Sequence, residues 1–142
     1  MKFLLFFILS ITTLFANNPK EILLLHSYNN GLKWTDGITQ GAKEVLDKYP
    51  DYELTVEYMD SKKIDSQEYF DILMSLYEKK FSNRKYEVII AADNYAYEFV
   101  LKNHKKLFDK SSVVFTGVEN FDKNFIPLDL KKYVTGVVEY KE

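Results

Sequence analysis

A chain of 142 residues is long enough to form one domain with its own hydrophobic core, and eleven Tyr and eleven Phe supply apolar surface for it. The formal net charge of −2 excludes the strongly basic surface with which proteins bind nucleic acids. The absence of cysteine excludes disulfides and thiolate chemistry.

The N-terminal segment, residues 1–16, predicts a signal peptide. Lys2 is followed by thirteen uncharged and mostly apolar residues, which is shorter than the roughly 20 residues needed to span a bilayer and typical of a signal-peptide core. Ala16 is a suitable last residue before cleavage. We therefore expect an exported mature domain, residues 17–142, with a net charge of −3 because Lys2 is lost. A retained membrane anchor is the alternative.

The mature chain alternates between apolar runs and helical periods. The predicted strands are residues 21–26, 52–58, 86–92, 112–116 and 134–140. The apolar stripe of the first predicted helix contains Trp34, Ile38, Ala42, Val45, Leu46 and Tyr49, and that of the second contains Tyr69, Ile72, Leu73, Leu76 and Tyr77. This alternation predicts one α/β unit, an open parallel sheet of about five strands with helices on both faces.

The carboxyl ends of the strands are where a site is expected. In an open parallel sheet, ligands bind beyond those ends, at the point where the strand order reverses. For the order 2-1-3-4-5, that point lies between the first and third strands. The loops that meet there would be residues 27–31 and 93–95, with Asp60 and residues 116–120 to either side.

The chemistry of these loops favours binding over catalysis. Hydroxyl and amide side chains offer neutral donors and acceptors, and the aromatic side chains Tyr28, Trp34 and Tyr95 offer flat apolar faces. A few polar groups among aromatic ones are typical of a small-molecule pocket. The candidate ligand-contacting residues are Ser27, Tyr28, Asn30, Trp34, Asp93 and Asn94, with Asp60 and Glu119 behind them.

Several of these residues also have a purely structural interpretation, which the sequence leaves open. Asn30 could start the first helix, and either Asp93 or Asn94 could be the N-cap of the third. Trp34 could belong to the core, since it begins an apolar stripe. For the second helix, residues 65 and 68 (Asp and Glu) form a pair similar to a capping box.

Catalytic and cofactor sites are not supported by the sequence. His26 and Ser27 are adjacent, so their side chains would point to opposite faces of a strand. There is no G-x-S-x-G elbow, no H-E-x-x-H pair, no P-loop and no G-x-G-x-x-G. We therefore expect a protein that is not an enzyme and that holds no metal and no cofactor.

Five segments in series resemble one bacterial family, the ABC-transporter substrate-binding-like proteins. They are SYNNGLKWTDGI (27–38), EYMDSKKI (57–64), AADNYAYEF (91–99), VVFTGVENF (113–121) and TGVVE (135–139). The resemblance is to the first lobe of this family, above all as it occurs in the extracytoplasmic sensor regions of histidine kinases and diguanylate cyclases. It implies a type I periplasmic-binding-protein fold, in which two Rossmann-like lobes close on a ligand.

The resemblance also implies a function and partners. These are periplasmic recognition of a small-molecule solute by cleft closure, with a membrane sensor kinase or cyclase, or an ABC permease, as partner. A domain of this family needs about twice this length, so we expect either a piece of a longer protein or a lone lobe that needs a partner. Apolar residues 137, 138 and 140 could then favour a homodimer. The alternative function is an exported protein–protein interaction module without a small ligand.

Overall fold

A computed structural model of the chain describes residues 18–136. The predicted signal peptide and residues 137–142, which include most of the last predicted strand, lie outside the described residues. The elements in order are β1 (Lys20–His26), α1 (Lys33–Leu46), β2 (Tyr52–Tyr58), α2 (Gln67–Phe81), β3 (Tyr86–Ala92), α3 (Asp93–Leu107), β4 (Ser112–Thr116), a 3₁₀ turn (Lys123–Phe125) and β5 (Val134–Gly136). Within residues 18–136, no helix combines the length and the apolar character needed to cross a membrane.

The sheet confirms the predicted fold class. Its five strands are all parallel and lie in the order β2-β1-β3-β4-β5. β1 is an interior strand, because Leu24 pairs with Val56 of β2 on one side and with Ile90 of β3 on the other. A strand paired on both sides and covered on both faces is mostly apolar, which explains the run Leu23–Leu24–Leu25, all fully buried. The strand order reverses between β1 and β3.

The two faces of the sheet are covered by different helices. Leu23 and Leu25 of β1 pack with Tyr77 of α2 and Val100 of α3 in the main core, so α2 and α3 cover one face. Side chains alternate along a strand, and His26 accordingly lies on the opposite face, where it bonds to Thr39 of α1. Each large apolar side chain fully buried in this way contributes about 1.5–3 kcal/mol.

The predicted apolar stripes of α1 and α2 are wrong in part. The only fully buried residue of α1 is Thr35, and α2 buries Leu73, Tyr77 and Phe81. A helix that packs on the sheet along one line buries a narrow stripe, so residues at the edge of a wider apolar face stay exposed. The exposed members of the two predicted stripes are Trp34, Val45, Tyr49, Ile72 and Leu76.

The predicted helix starts need correction as well. The N-cap of α2 is Ser66, whose Oγ accepts a hydrogen bond from the Tyr69 N–H at 3.3 Å, so the predicted pair at residues 65 and 68 is not the cap. α1 begins after Leu32 rather than at Asn30. α3 begins at Asp93 itself, preceded by Ala92, so neither Asp93 nor Asn94 is an N-cap.

Candidate functional site

Ser27, directly after β1, joins three elements at the carboxyl end of the sheet. Its backbone N–H and its Oγ–H both donate to the carbonyl oxygen of Ala92, the last residue of β3, at 3.0 and 2.8 Å. The same Oγ accepts a hydrogen bond from the Ala96 N–H in the first turn of α3, at 2.8 Å. The hydroxyl is thus used as donor and as acceptor, and it satisfies an N–H that a local N-cap would otherwise serve.

Ser61 attaches the loop after β2 to the same junction. The carbonyl oxygen of Ser27 accepts from the Ser61 N–H at 2.9 Å and from the Ser61 Oγ–H at 2.6 Å. Both serines are buried. Ser27 and Ser61 therefore fix these loops through buried hydrogen bonds. Ser61 was not among the residues predicted from the sequence.

Trp34 and Asp93 meet above this junction. The Trp34 Nε1–H donates to Asp93 Oδ1 at 3.0 Å, although the two residues are 59 positions apart. Trp34 is 46% exposed and Asp93 only 5%. Gly117, after β4, leaves the space for this pair, since a Cβ there would lie 2.8 Å from Asp93 Oδ1 and 3.0 Å from Trp34 Cζ2. The first turns of α1 and α3 and the loop after β4 thus converge at one point.

The Asp93 carboxylate is in an unusual environment. Its backbone φ is +69°, a left-handed conformation that costs a non-glycine residue on the order of 1 kcal/mol. Its Oδ2 is buried and has no hydrogen-bond partner among the described residues. Burial raises the pKa of this carboxyl group, against the opposing effects of the Trp34 hydrogen bond and the charge of Lys62. A buried, half-satisfied carboxylate is destabilising, which is typical of functional positions.

Tyr28 forms the rim of the site. The Lys62 ammonium lies 4.8 Å from the centroid of its ring, in cation–π geometry. Burial raises the pKa of Tyr28, and the charges of Asp93 and Glu119 and the hydroxyl of Tyr95 raise it further. Tyr95 was expected in a loop of the site but not among the candidate ligand-contacting residues. Lys62 was not predicted, although a lysine beside a strand-end loop is a usable signal.

Asn94 and Glu119 are linked by two hydrogen bonds. The Asn94 Nδ2 donates to the Glu119 carbonyl oxygen at 3.1 Å, and the Asn94 Oδ1 accepts from the Glu119 N–H at 2.9 Å. The Asn94 amide therefore fixes the loop after β4 against α3. The Glu119 carboxylate takes no part in this link, and its charge acts on Tyr28 and Asp93.

The two remaining predicted residues, Asn30 and Asp60, lie at the edges of the site. Asn30 is exposed in the turn before α1, where its carbonyl oxygen accepts from the Asn29 side chain at 2.7 Å. Asp60 has a φ of +51°; burial raises the pKa of Tyr69 in α2, and the charge of Asp60 raises it further. The structure thus joins Trp34 to Asp93 and Asn94 to Glu119 by hydrogen bonds, and the charges of Asp93 and Glu119 act on Tyr28.

A separate groove runs between α2 and α3 and has a volume of about 470 Å³. It lies beside the β1/β3 junction rather than at it, and Tyr95, stacked on Phe70 at 5.3 Å, forms a wall shared with the site. Its other lining residues include Met59, Met74, Phe99, Asp65, Asp71 and Glu98. The groove is thus a separate concavity, whereas the carboxylate oxygen without a partner among the described residues is at the junction.

His26 lies apart from the Ser27 hydroxyl. Its Nε2 bonds to Thr39 Oγ1 at 2.8 Å, and its ring stacks on Tyr58 at 5.2 Å. Burial lowers its pKa to about 4, although the charge of Asp36 opposes the shift. The adjacent Ser27 Oγ is bonded to backbone groups instead, so the two side chains form no nucleophile–base pair. Among residues 18–136, no group of three His, Asp or Glu side chains is placed to hold a metal ion.

Comparisons of the chain with protein-family models, with curated proteins and with solved structures find no match. The chemistry and position of the residues therefore carry the functional argument.

Proposed function

We propose that this protein is a periplasmic solute-recognition lobe that is not an enzyme and that passes a binding signal, or its solute, to a membrane partner. One observation carries the proposal. The Trp34–Asp93 pair, with Gly117 against it, lies at the carboxyl ends of β1, β3 and β4, where ligands bind in open parallel sheets. A half-exposed aromatic side chain and a buried carboxylate oxygen without a partner are the elements of a small-molecule site.

The described residues provide one wall of such a site. The rim of Tyr28, Trp34 and Tyr95 opens to solvent, so a ligand held by this lobe alone keeps one side in water. A second lobe or a partner would cover that side. The ligand then favours the closed arrangement only through the contacts that it makes there. The resemblance to extracytoplasmic sensor regions favours a membrane kinase, a cyclase or an ABC permease as the recipient of the signal or solute.

The residues of the site have two different roles, ligand contact and support of the loops. Tyr28, Trp34 and Asp93 contact the solute. The Glu119 carboxylate, which lies behind them, contributes its negative charge to the site. Ser27 and the Asn94 amide fix the loops, because their polar groups are already hydrogen-bonded within the protein.

A thermal-shift screen of small metabolites on the purified protein tests the proposal. A ligand at ten times its Kd adds about 1.4 kcal/mol to the free energy of unfolding, which raises Tm by several degrees in a domain of this size. We expect the shift to disappear in Trp34→Ala and to persist in Leu76→Ala, a matched control because Leu76 is also 46% exposed but lies on α2. A screen without hits, or hits that survive Trp34→Ala, contradicts the proposal.

Docking of a protein is a second candidate, favoured by the exposed apolar side chains Trp34, Val45 and Tyr49 on and just after α1. The partner would be a second copy of the chain or another exported protein. Light scattering coupled to size-exclusion chromatography separates the two functions. A stable dimer that Val45→Ser converts to monomer favours docking, whereas a monomer that responds to metabolites favours solute recognition.

A further inference from the structure

The Asp93 carboxylate lacks one hydrogen-bond donor. Oδ1 accepts from the Trp34 indole, while Oδ2 is buried and unpartnered among the described residues. Leaving a buried acceptor unsatisfied costs free energy, and more so when the group is charged. The Asp93 backbone is left-handed, and the space beside Oδ1 depends on Gly117, where an added Cβ would lie 2.8 Å from this oxygen. A hydrogen-bond donor that reaches Oδ2 would remove this unfavourable contribution to the free energy of the folded state.

The surroundings of Oδ2 favour a positively charged donor. Asp93 and Glu119 supply two negative charges, against the single positive charge of Lys62. The N-terminus of α3 carries a positive partial charge that would attract an anion, but Asp93 is the first residue of α3 and already provides one. An external anion at the N-terminus of α3 would therefore be repelled by the Asp93 carboxylate.

Lys62 marks the position of a cation in this site. Its ammonium lies 4.8 Å from the centroid of the Tyr28 ring, and its charge acts on Asp93. The lysine side chain is long and exposed, so ordering it there costs conformational entropy and returns little. A ligand ammonium group could take its place, attracted by the same aromatic ring and carboxylate.

We propose that the site binds an organic cation, whose ammonium group pairs with the Asp93 carboxylate and whose apolar part packs on Tyr28 and Trp34. The inference rests on the solute-recognition function proposed above and names the ligand class of that same site. Lys62 is the resident cation that the ligand displaces.

Three probes of similar shape and different charge test it: phenethylammonium, 2-phenylethanol and phenylacetate. Trp34 is the only tryptophan of the chain, so a single indole N–H resonance in a ¹H–¹⁵N spectrum of the full protein reports on the Trp34–Asp93 pair. We expect phenethylammonium to bind about tenfold more tightly than either of the other two probes.

Two variants change the charge balance in opposite directions. Asp93→Asn should weaken phenethylammonium binding about tenfold, to the level of the neutral alcohol, while Lys62→Met should tighten it about threefold. Asp109→Asn makes the same chemical change at an exposed position beyond the other end of α3 and should have no effect. Should Asp93→Asn fail to fold, Lys62→Met decides alone, because its side chain is exposed.

Each other result overturns the inference. Equal affinities for the three probes, a preference for phenylacetate, or weaker phenethylammonium binding in Lys62→Met would exclude a cation site and leave solute recognition standing. If no probe moves the indole resonance, the cation inference fails as well. Solute recognition is then judged by the metabolite screen, which includes compounds of every charge type.

Discussion

The Ser27 hydroxyl accepts a hydrogen bond from the Ala96 backbone N–H at 2.8 Å, across 69 positions of the chain. A serine after β1 thus caps the helix that follows β3. This contact has a consequence for the site, because the first turn of α3 does not depend on Asp93 as its cap. The Asp93 carboxylate is therefore free to accept from Trp34, and its second oxygen stays buried without a donor among the described residues.

Ser27→Ala should lower the free energy of unfolding by about 2 kcal/mol, because the Ala96 N–H is left buried without its acceptor. Urea denaturation measures the change. Ser82→Ala, which removes an exposed hydroxyl after α2, should stay within about 0.5 kcal/mol of the parent protein. Equal effects of the two substitutions would show that the Ser27 contact contributes nothing to stability.

Gly117→Ala should disrupt the Trp34–Asp93 pair. The new Cβ would lie 2.8 Å from Asp93 Oδ1, and the φ of +68° is strained for alanine, so we expect a loss of about 2–3 kcal/mol. Gly31→Ala is the matched control, because its φ is +90° but no atom lies within 4 Å of the new Cβ, which leaves only about 1 kcal/mol of strain. Trp34 fluorescence should change in the first variant alone; identical behaviour of the two variants contradicts the geometry described for the site.

Asp93→Asn should stabilise the protein at neutral pH, by on the order of 1 kcal/mol after allowing for solvent screening. The folded state raises the pKa of Asp93 above its ordinary value of 3.8, so it binds a proton more readily than the unfolded state does. The parent protein accordingly loses stability as the pH rises from 3.8 through the raised pKa. The advantage of the variant should therefore shrink towards acidic pH in parallel denaturant titrations. A variant that is less stable than the parent protein at pH 7 would show that the Asp93 carboxylate does not destabilise the folded state.

His26 should make stability fall on acidification. Its pKa is lowered from 6.5 to about 4 in the folded state, so below pH 6.5 the unfolded state binds a proton more readily. Stability is then lost as the pH falls from 6.5 to about 4, by up to about 2 kcal/mol at pH 5. His26→Gln retains a polar side chain that could reach Thr39 but does not titrate, and it should reduce the difference in Cm between pH 7 and pH 5. An unchanged difference would assign the effect to other groups.

The strands could be predicted closely from the sequence. The bounds of β2, β3 and β4 were predicted as observed, because each is an apolar or alternating run between polar loops. The strand order 2-1-3-4-5, which the sequence analysis assumed, is the observed one. The helix faces were less predictable, since the period of α1 and α2 gives the direction of an apolar face but not how much of it the sheet covers. Val45 and Ile72 are exposed for that reason.

The contacts within the site could not be predicted, because they join residues far apart in the chain. The segments that follow β1, β3 and β4 could be placed together, and Trp34 and Asp93 do meet there. That Trp34 donates to Asp93 depends on Gly117, which no local pattern connects to either residue. The use of Ser27 as a remote cap likewise has no local signature.

The most direct test of a solute site at the β1/β3 junction is a ¹H–¹⁵N titration of the purified protein with a compound that raises its Tm. We predict that the Trp34 indole resonance and the backbone resonances of Tyr28, Asn94 and Glu119 shift together with one Kd. Resonances lining the groove between α2 and α3, such as those of Met74 and Lys102, should stay in place. Shifts confined to that groove, with Trp34 unmoved, would contradict the account.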